Sequence, residues 1–341
     1  MKVLALALIG LGSLLTALHP PSLKRVALSG YAQGTTYHVT YYSPDSMVTS
    51  KELEGLLASL DSSLSIYKSY SLISRFNNAP RGVRVDEHLR AVVVRSLQIT
   101  KETSGIFDIT IQPLVQAWGF GVKNADALPD SSRVRELMHC TGSSGLTLKG
   151  DSLVKKMPCL TIDVNGIAQG YSVDVLCHYL EAKGIVNYLV EIGGEVRVKG
   201  QKQPEGKPLT IGIEGPADDW NAEPLQKIVE LREGAITTSG NYRKYYQQGK
   251  HRISHLIDAR TGFPIENELI SATVWAKDAI TADGLDNAMM ALGLTEALAF
   301  ARKRHDMELY LIYRKSDGTV ADTASAGFYK MIRQVPASDP Q

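Results

Sequence analysis

The chain of 341 residues is 44% hydrophobic and 21% charged, an ordinary globular composition with apolar material for one large domain or two smaller ones. Its 37 basic side chains nearly cancel 36 acidic ones, leaving a net charge of +1 with histidine neutral. No basic run is interleaved with aromatics, so a nucleic-acid backbone is excluded as partner, and a small molecule or another protein is left.

The chain opens with MKVLALALIGLGSLLTALHPP: a lysine, an apolar run from Val3 to Leu18, then prolines. That order reads as a secretory signal or signal-anchor over residues 1–24, in preference to a buried core helix. The run is short of the roughly 20 residues that span a bilayer. No Ala-x-Ala marks a cleavage site, and no cysteine follows to carry a lipid, so removal and retention as an anchor both stay open. The expectation is an exported, periplasmic protein, either free or held at the inner membrane by its N-terminus.

The elements then follow in mixed order. TTYHVTYY alternates as a strand, SKELEGLLASLDSSLS has a helical period, HLRAVVVRSLQITKETSG is a helix stopped by Gly105, and RVRELMHCTG is a third, short one. SLVKKMPCLTIDV reads as strand, AQGYSVDVLCHYLEAKG as an amphipathic helix closed by Gly184, and VNYLVEIGGEVRVKG as strand, Gly-Gly turn and strand. PLTIGIEGP and LQKIVELREGAITTSG add strands, and YRKYYQQGKHRISHLID suggests a hairpin around Gln248-Gly249, with His255 in an alternating strand. ISATVWA is a strand, ADGLDNAMMALG and LTEALAFARKR are helices, and MELYLIYR is a late strand. With no internal repeat and no separating linker, residues 25–335 read as one α+β unit.

Three cysteines permit one disulfide and one free thiol. Cys140 and Cys159 flank a segment that reads as a hairpin, so they can pair across it, whereas Cys177 sits in a helical pattern as a small hydrophobe. No spacing resembles a zinc site or a redox CxxC motif.

Several stretches carry groups that a ligand can use, each with a plain structural reading beside it. TIDVNGIAQG sets Asp163 at a strand end before an Asn-Gly turn, and Asp and Asn-Gly are also ordinary turn formers. The Gly193-Gly194 turn and the Thr-Ser-Gly corner at Ser239 and Gly240 can bring backbone close to a phosphate, or simply turn the chain. His255 alone is more often structural than catalytic. Asp283, Asp286 and Asn287 share one face of a helix. Asp283 and Asn287, at i and i+4, can reach one cation such as Mg²⁺, which takes hard oxygen ligands and keeps some waters. Asp286 is offset and reads as solvated or supporting.

Taken in order, these stretches resemble the ApbE family of FAD:protein FMN transferases, from about Gly34 to about Gly293. GTTYHVTY looks like the family's opening strand, SIYKSYSLISRFN resembles its STYxxxSxLSRFN segment, and SGIFDITIQPLVQAWGFG resembles GAFDPTVGPLVxLWGFG. IDVNGIAQGYSVD is similar to LDLGAIAKGYAVD, and TADGLDNAMMALG to EADALATALxVLG; NYLVEIGGEVRVKG, TTSGNYRKYY and SHLIDARTGFPI resemble their counterparts closely.

The resemblance implies an ApbE-like, T-fold-related α+β domain of mixed sheets with packed helices. It implies a reaction in which FAD is split at its pyrophosphate, FMN passes to a Thr or Ser hydroxyl of an exported protein as a phosphoester, and AMP leaves. Expected acceptors are flavin-carrying subunits of membrane redox complexes or other exported proteins. Mg²⁺ would be held by Asp283, Asn287 and the carbonyl of Gly166. His255 is the candidate base and Asp283 the charged metal ligand of catalysis. Positions matching the flavin-nucleotide site are Gln33, Tyr67, Ile106, Phe107, Asp108, Asp163, Gln169, Gly193, Gly194, Ser239, Gly240, His255 and Ile257. The chain departs from the family pattern at Gln33 for Met, Gly166 for Ala, Gln169 for Lys and Asn287 for Thr or Asp. The neutral Gln169 and Asn287 imply weaker charge neutralisation before FAD arrives. Two other readings stay open: a metal-dependent FAD pyrophosphatase that gives FMN and AMP, and a non-catalytic FAD-binding protein.

Overall fold

The computed structural model describes residues 22–122, 127–215, 225–241, 245–248 and 251–333. The N-terminal apolar run lies outside them.

β1 (Lys24–Ala32) and β2 (Thr35–Ser43) form a hairpin whose turn residues, Gln33 and Gly34, have φ of 54° and 78°, the left-handed pair that matches strand twist. α1 (Ser50–Leu64) begins at Thr49, which with Glu52 forms a reciprocal cap. α2 (Leu72–Asn78), β3 (Gly82–Arg84) and α3 (Glu87–Glu102) follow. A 3₁₀ turn at Ile109–Ile111 leads into α4 (Gln112–Ala117), and α5 (Ser131–Met138) precedes the hairpin of β4 (Leu146–Lys149) and β5 (Ser152–Lys155), to which β3 adds. Next come α6 (Ala168–Ala182), β6 (Tyr188–Ile192), β7 (Glu195–Lys199), β8 (Leu209–Glu214), β9 (Leu225–Leu231) and β10 (Glu233–Gly240). β11 (Tyr245–Gln248) and β12 (His251–Ser254) pair antiparallel with Gln248 opposite His251, and Gly249 of the expected turn lies outside the described residues. β13 (Leu269–Ala276), α7 (Ala279–Arg302), β14 (Met307–Arg314), β15 (Val320–Ala324) and α8 (Ala326–Met331) complete the order.

Eight strands make one sheet in the order β1-β2-β6-β7-β10-β13-β14-β15. Side chains alternate across it. On β14, Leu309 and Leu311 face a core shared with α1, α3, α6 and α7, while Tyr310 and Ile312 face a second core under the β8–β9 ribbon and α8.

Mixed sheets are expected from the family resemblance, yet every pairing among the described strands is antiparallel. α7 shows how. Its first leg runs from the end of β13 back to its beginning, where Asn267 bonds the carbonyl of Met290 and Glu268 accepts the N–H of Leu294. Gly293, at φ 73° and ψ 173°, then reverses the chain, so β14 enters beside the end of β13, with Met307 opposite Ala276. A straight helix of that length would have delivered a parallel strand. The two helices read on either side of Gly293 are therefore the two legs of α7.

Four backbone and side-chain donors meet at the start of α7. Asp278 caps the N–H of Thr281, and Asp174, reaching across from α6, accepts from the N–H groups of Ala279 and Ile280 at 2.9 Å each and from Arg197 at 2.6 Å. Burial raises the pKa of the Asp174 carboxyl, and Arg197 opposes that rise. Arg197→Met leaves this charge inside without its cation, and the protein should lose about 3 kcal/mol in urea denaturation. No helix among the described residues is long and apolar enough to cross a membrane.

Candidate functional site

The first leg of α7 is buried on nearly every side, and Ala and Gly along it allow close packing. Gly170 at the start of α6 is where the helices approach most tightly: a Cβ there would lie 2.3 Å from the carbonyl oxygen of Ala279 and 2.7 Å from the Cβ of Asp283. Gly170→Ala therefore prises α6 from α7 and should cost about 2 kcal/mol of stability in thermal or urea unfolding, while displacing the carboxyl of Asp283.

That carboxyl accepts the N–H of Gly170 at 2.8 Å. One turn on, the amide nitrogen of Asn287 donates to the carbonyl of Asp283 at 3.0 Å and to the carboxyl of Asp286 at 2.9 Å, and lies 3.4 Å from the carbonyl of Gly166. Its amide oxygen accepts from the hydroxyl of Ser239, at the end of β10, at 3.1 Å. The structure thus brings Gly166, Asp283, Asn287 and Ser239 together from three elements. Of the two readings open for Asp286, solvated or supporting, the structure favours the second, since its carboxyl accepts from Asn287. Asp286 is 2% exposed and faces Asp283 and Glu195, so burial and then the Asp283 charge raise its pKa. Burial also pushes Asp283 up to about 7, and Asp174 adds to this. The neighbouring charges that raise these two carboxyls are themselves acidic, Asp174 for Asp283 and Asp283 with Glu195 for Asp286.

A ring of turns surrounds this point. Gln169 packs its amide against Gly193, whose φ of 64° admits no ordinary side chain and whose Cβ would meet that amide at 2.7 Å. The Gly193-Gly194 turn is held from below: Glu191 accepts the Gly194 N–H at 2.7 Å, and His38 bonds the other carboxyl oxygen at 2.7 Å. Gln33 donates to Ser172 at 2.9 Å, so the β1–β2 turn leans on the start of α6.

Asp163 is not at the end of a strand. Residues 160–164 pair with no strand, because Asn77 takes up both backbone groups of Ile162, at 2.8 and 2.9 Å. The Asp163 carboxyl accepts the N–H of Asn165, and desolvation pushes its pKa up to about 6. Asn165 in turn donates to the hydroxyl of Tyr67, whose ring is 60% exposed. The ring of Phe107 is 3.7 Å from where a Cβ of Gly166 would be, and Ile106 is buried beside it in sequence. Asp108 is already committed: its carboxyl accepts from the N–H and hydroxyl of Thr110 and from the N–H and hydroxyl of Ser143.

His255 lies in a bend just after β12, not within an alternating strand, with its ring edge-on to Phe120 at 6.1 Å between centroids. The strand ends there because the ribbon re-forms with a new partner, Ile257 bridging to Pro264. Ile257 points into a small core with Leu114, Trp118 and Val134, so its side chain is packing. These form a second group, joined to the first by the loop at 105–107, since the Cγ of Arg260 lies 4.0 Å from a Cβ position on Gly105. Asn165, Asp174 and Glu195 were not singled out as site residues from the sequence. Asn165 was legible as half of the Asn-Gly turn, and Glu195 only as the residue after Gly-Gly.

Crowded buried carboxyls ringed by glycine turns on an α+β scaffold define an enzyme, and comparison with known proteins gives its class as a flavin transferase. The solved flavin transferase ApbE from Vibrio cholerae superposes with a TM-score of 0.81 at 36% identity, covering 91% of this chain and 99% of that one. The apo flavinyl transferase ApbE of Pseudomonas stutzeri does so with 0.81 at 35% identity, covering 91% and 97%. Among curated proteins, the FAD:protein FMN transferase of Vibrio cholerae is 37% identical over 312 residues, 89% of this chain and 92% of that protein. That of Escherichia coli K12 is 35% identical over 300 residues, 85% and 84%. The ApbE family model matches residues 33–311. The chain belongs to the ApbE family.

Proposed function

We propose that this protein transfers FMN from FAD to a Thr or Ser hydroxyl of an exported protein. The observation that carries this is the buried cluster of Asp283, Asp286, Asn287 and Gly166, set on a chain that matches FAD:protein FMN transferases along most of its length. The acceptor oxygen attacks the phosphorus of the FMN half of FAD. The bond from that phosphorus to the AMP oxygen breaks, AMP leaves, and the hydroxyl proton passes to His255.

The donors fit Mg²⁺. Asp283 offers a carboxylate and Gly166 a carbonyl, both hard oxygens. The amide nitrogen of Asn287 already points its positive end at oxygens of Gly166, Asp283 and Asp286. A half-turn of that amide would present its oxygen instead. Bound there, Mg²⁺ would supply charge neutralisation for the pyrophosphate. Around it, the Gly193-Gly194 turn and the Ser239-Gly240 corner allow close backbone approach, Gln169 packs against Gly193, Gln33 ties the β1–β2 turn to α6, and Tyr67 offers an exposed ring for stacking. Asp163 and the Ile106-Phe107-Asp108 segment form the floor. Asp108 and Ile257 contribute through backbone and shape, since their side chains are engaged elsewhere.

The Cys140–Cys159 disulfide, with Cα atoms 5.4 Å apart, supports an oxidising compartment. It agrees with an exported, periplasmic enzyme, free or held at the inner membrane, with residues 25–335 as the catalytic unit. Acceptors would be flavin-carrying subunits of membrane redox complexes. The deciding experiment incubates the protein with FAD, Mg²⁺ and an acceptor domain. A fluorescent acceptor band that survives denaturation is expected and should vanish with chelator. Free FMN and AMP without any acceptor would assign the site to FAD hydrolysis instead. FAD binding with neither product would make it a carrier.

A further inference from the structure

Three segments meet beneath Asp163, and each is tied to the other two. The first is residues 108–112, the second 140–143 and the third 159–163. The first and second join through Asp108, which accepts from the N–H of Ser143 at 2.9 Å and its hydroxyl at 2.6 Å, and through Thr110, whose hydroxyl oxygen accepts the Gly142 N–H at 2.7 Å. The first and third join through the Ile109 carbonyl, which accepts the Asp163 N–H at 2.8 Å, and through Gln112, which accepts from the Thr161 hydroxyl at 2.6 Å. The second and third join through the Cys140–Cys159 disulfide.

The third segment has no β-ladder to hold it. Each of its residues is secured by a separate tie: Cys159 by the disulfide, Leu160 by buried Lys155 at 2.9 Å, Thr161 by Gln112, Ile162 by Asn77 and Asp163 by Ile109. Of these only the disulfide can be opened chemically while every other partner stays in place. Cys159 is exposed, so a reductant can reach it.

We infer that the Cys140–Cys159 disulfide is a positioning element of the FAD site, and that reducing it weakens FAD capture without disabling transfer. The inference rests on the FMN-transfer reading, which puts Asp163 and residues 106–108 at the nucleotide. Opening one edge of the triangle lets the segment that ends at Asp163 shift against Phe107. His255 follows β12 and Asp283 lies on α7, both outside the triangle, and Gly166 has its own contact with Asn287. The effect therefore falls on affinity rather than on the chemical step. Reduction is thiol–disulfide exchange: a dithiol gives two electrons and two protons to the sulfur pair, leaving two thiols, and closes to its own disulfide.

The test measures FAD affinity by flavin fluorescence and transfer at saturating FAD, before and after dithiothreitol, with Mg²⁺ present throughout. The Kd for FAD should rise about tenfold, about 1.4 kcal/mol of binding free energy. The kcat should stay within about twofold, and reoxidation should restore affinity. Cys140→Ser with Cys159→Ser should bind weakly at the outset and ignore dithiothreitol. An unchanged Kd on reduction overturns the inference, as does a fall in kcat with Kd unmoved. If the reduced protein loses its near-ultraviolet dichroism, Ser143→Ala with Thr110→Val decides, because together they remove the hydroxyl of Ser143 and the acceptor of the Gly142 N–H, two of the three bonds along another edge, with the disulfide intact: a raised Kd supports the triangle and an unchanged one overturns it. Failure of the oxidised protein to bind FAD at all would instead remove the FMN-transfer reading, and this inference with it.

Discussion

His255→Ala should bind FAD as well as the parent chain and label its acceptor about 10²–10⁴-fold more slowly, the usual contribution of a general base. The expectation comes from placement. His255 sits in the bend where one ribbon ends and the next begins, half-buried, with Phe120 against the ring. An imidazole held there has a fixed orientation and still meets solvent, from which an acceptor segment must come. A Thr or Ser hydroxyl is a weak nucleophile, so loss of the group that takes its proton should appear in kcat. Equal labelling by parent and variant would remove His255 from the reaction. Loss of FAD binding together with labelling would make it part of the nucleotide pocket instead.

Asp283→Asn should lower transfer about 10²–10³-fold, the scale of removing one fixed electrostatic group from a buried site, and should abolish the response to added Mg²⁺. Asn is the informative replacement because its carbonyl can still accept the Gly170 N–H that Asp283 accepts at 2.8 Å. The fold is kept and only the charge goes. Stability should move the other way. Asp283 is 4% exposed, and burial pushes its pKa from 3.8 to about 7. A carboxyl raised in this way keeps its proton in the folded state after the unfolded chain has lost it. The metal-free parent therefore loses stability as pH rises between 3.8 and about 7. The variant is spared that loss, so in chelator its Tm should exceed the parent's at about pH 8, and the gap should close near pH 4. A variant that is less stable at both pH values, or that still answers to Mg²⁺, would show that Asp283 serves packing alone.

Much of this was legible locally. The helical periods of α1, α3, α6 and α7 stand out because each puts apolar residues on a face that must be buried, and the hairpin at Gly193-Gly194 follows from turn chemistry, as does the pairing of β11 with β12. β1, β15 and the short helices α2, α4 and α8 did not stand out. β1 and β15 are edge strands with no fully buried residue, and helices of six or seven residues are too short to show a repeat. The stretch at residues 160–164 read as a strand because it is apolar and alternating, but its backbone partners are side chains such as Asn77, which no period reveals.

Sequence alone determined the α+β class, the family and the pairing of Asp283 with Asn287, since four residues along a helix is a backbone distance set by helical geometry. Only tertiary structure placed the Gly166 carbonyl, 121 residues away, against Asn287, or let Asp174 cap α7 across 105 residues. It alone chose between the two readings of Asp286, solvated or supporting, by burying its carboxyl beside Asp283. It also set Asp108 to clasp Ser143, and Cys140 to close on Cys159, under the segment that carries Asp163. Periodicity is written into neighbouring residues. Burial and the crowding of like charges arise when distant segments displace the water between them, and here that displacement makes a set of turns and caps into the candidate site.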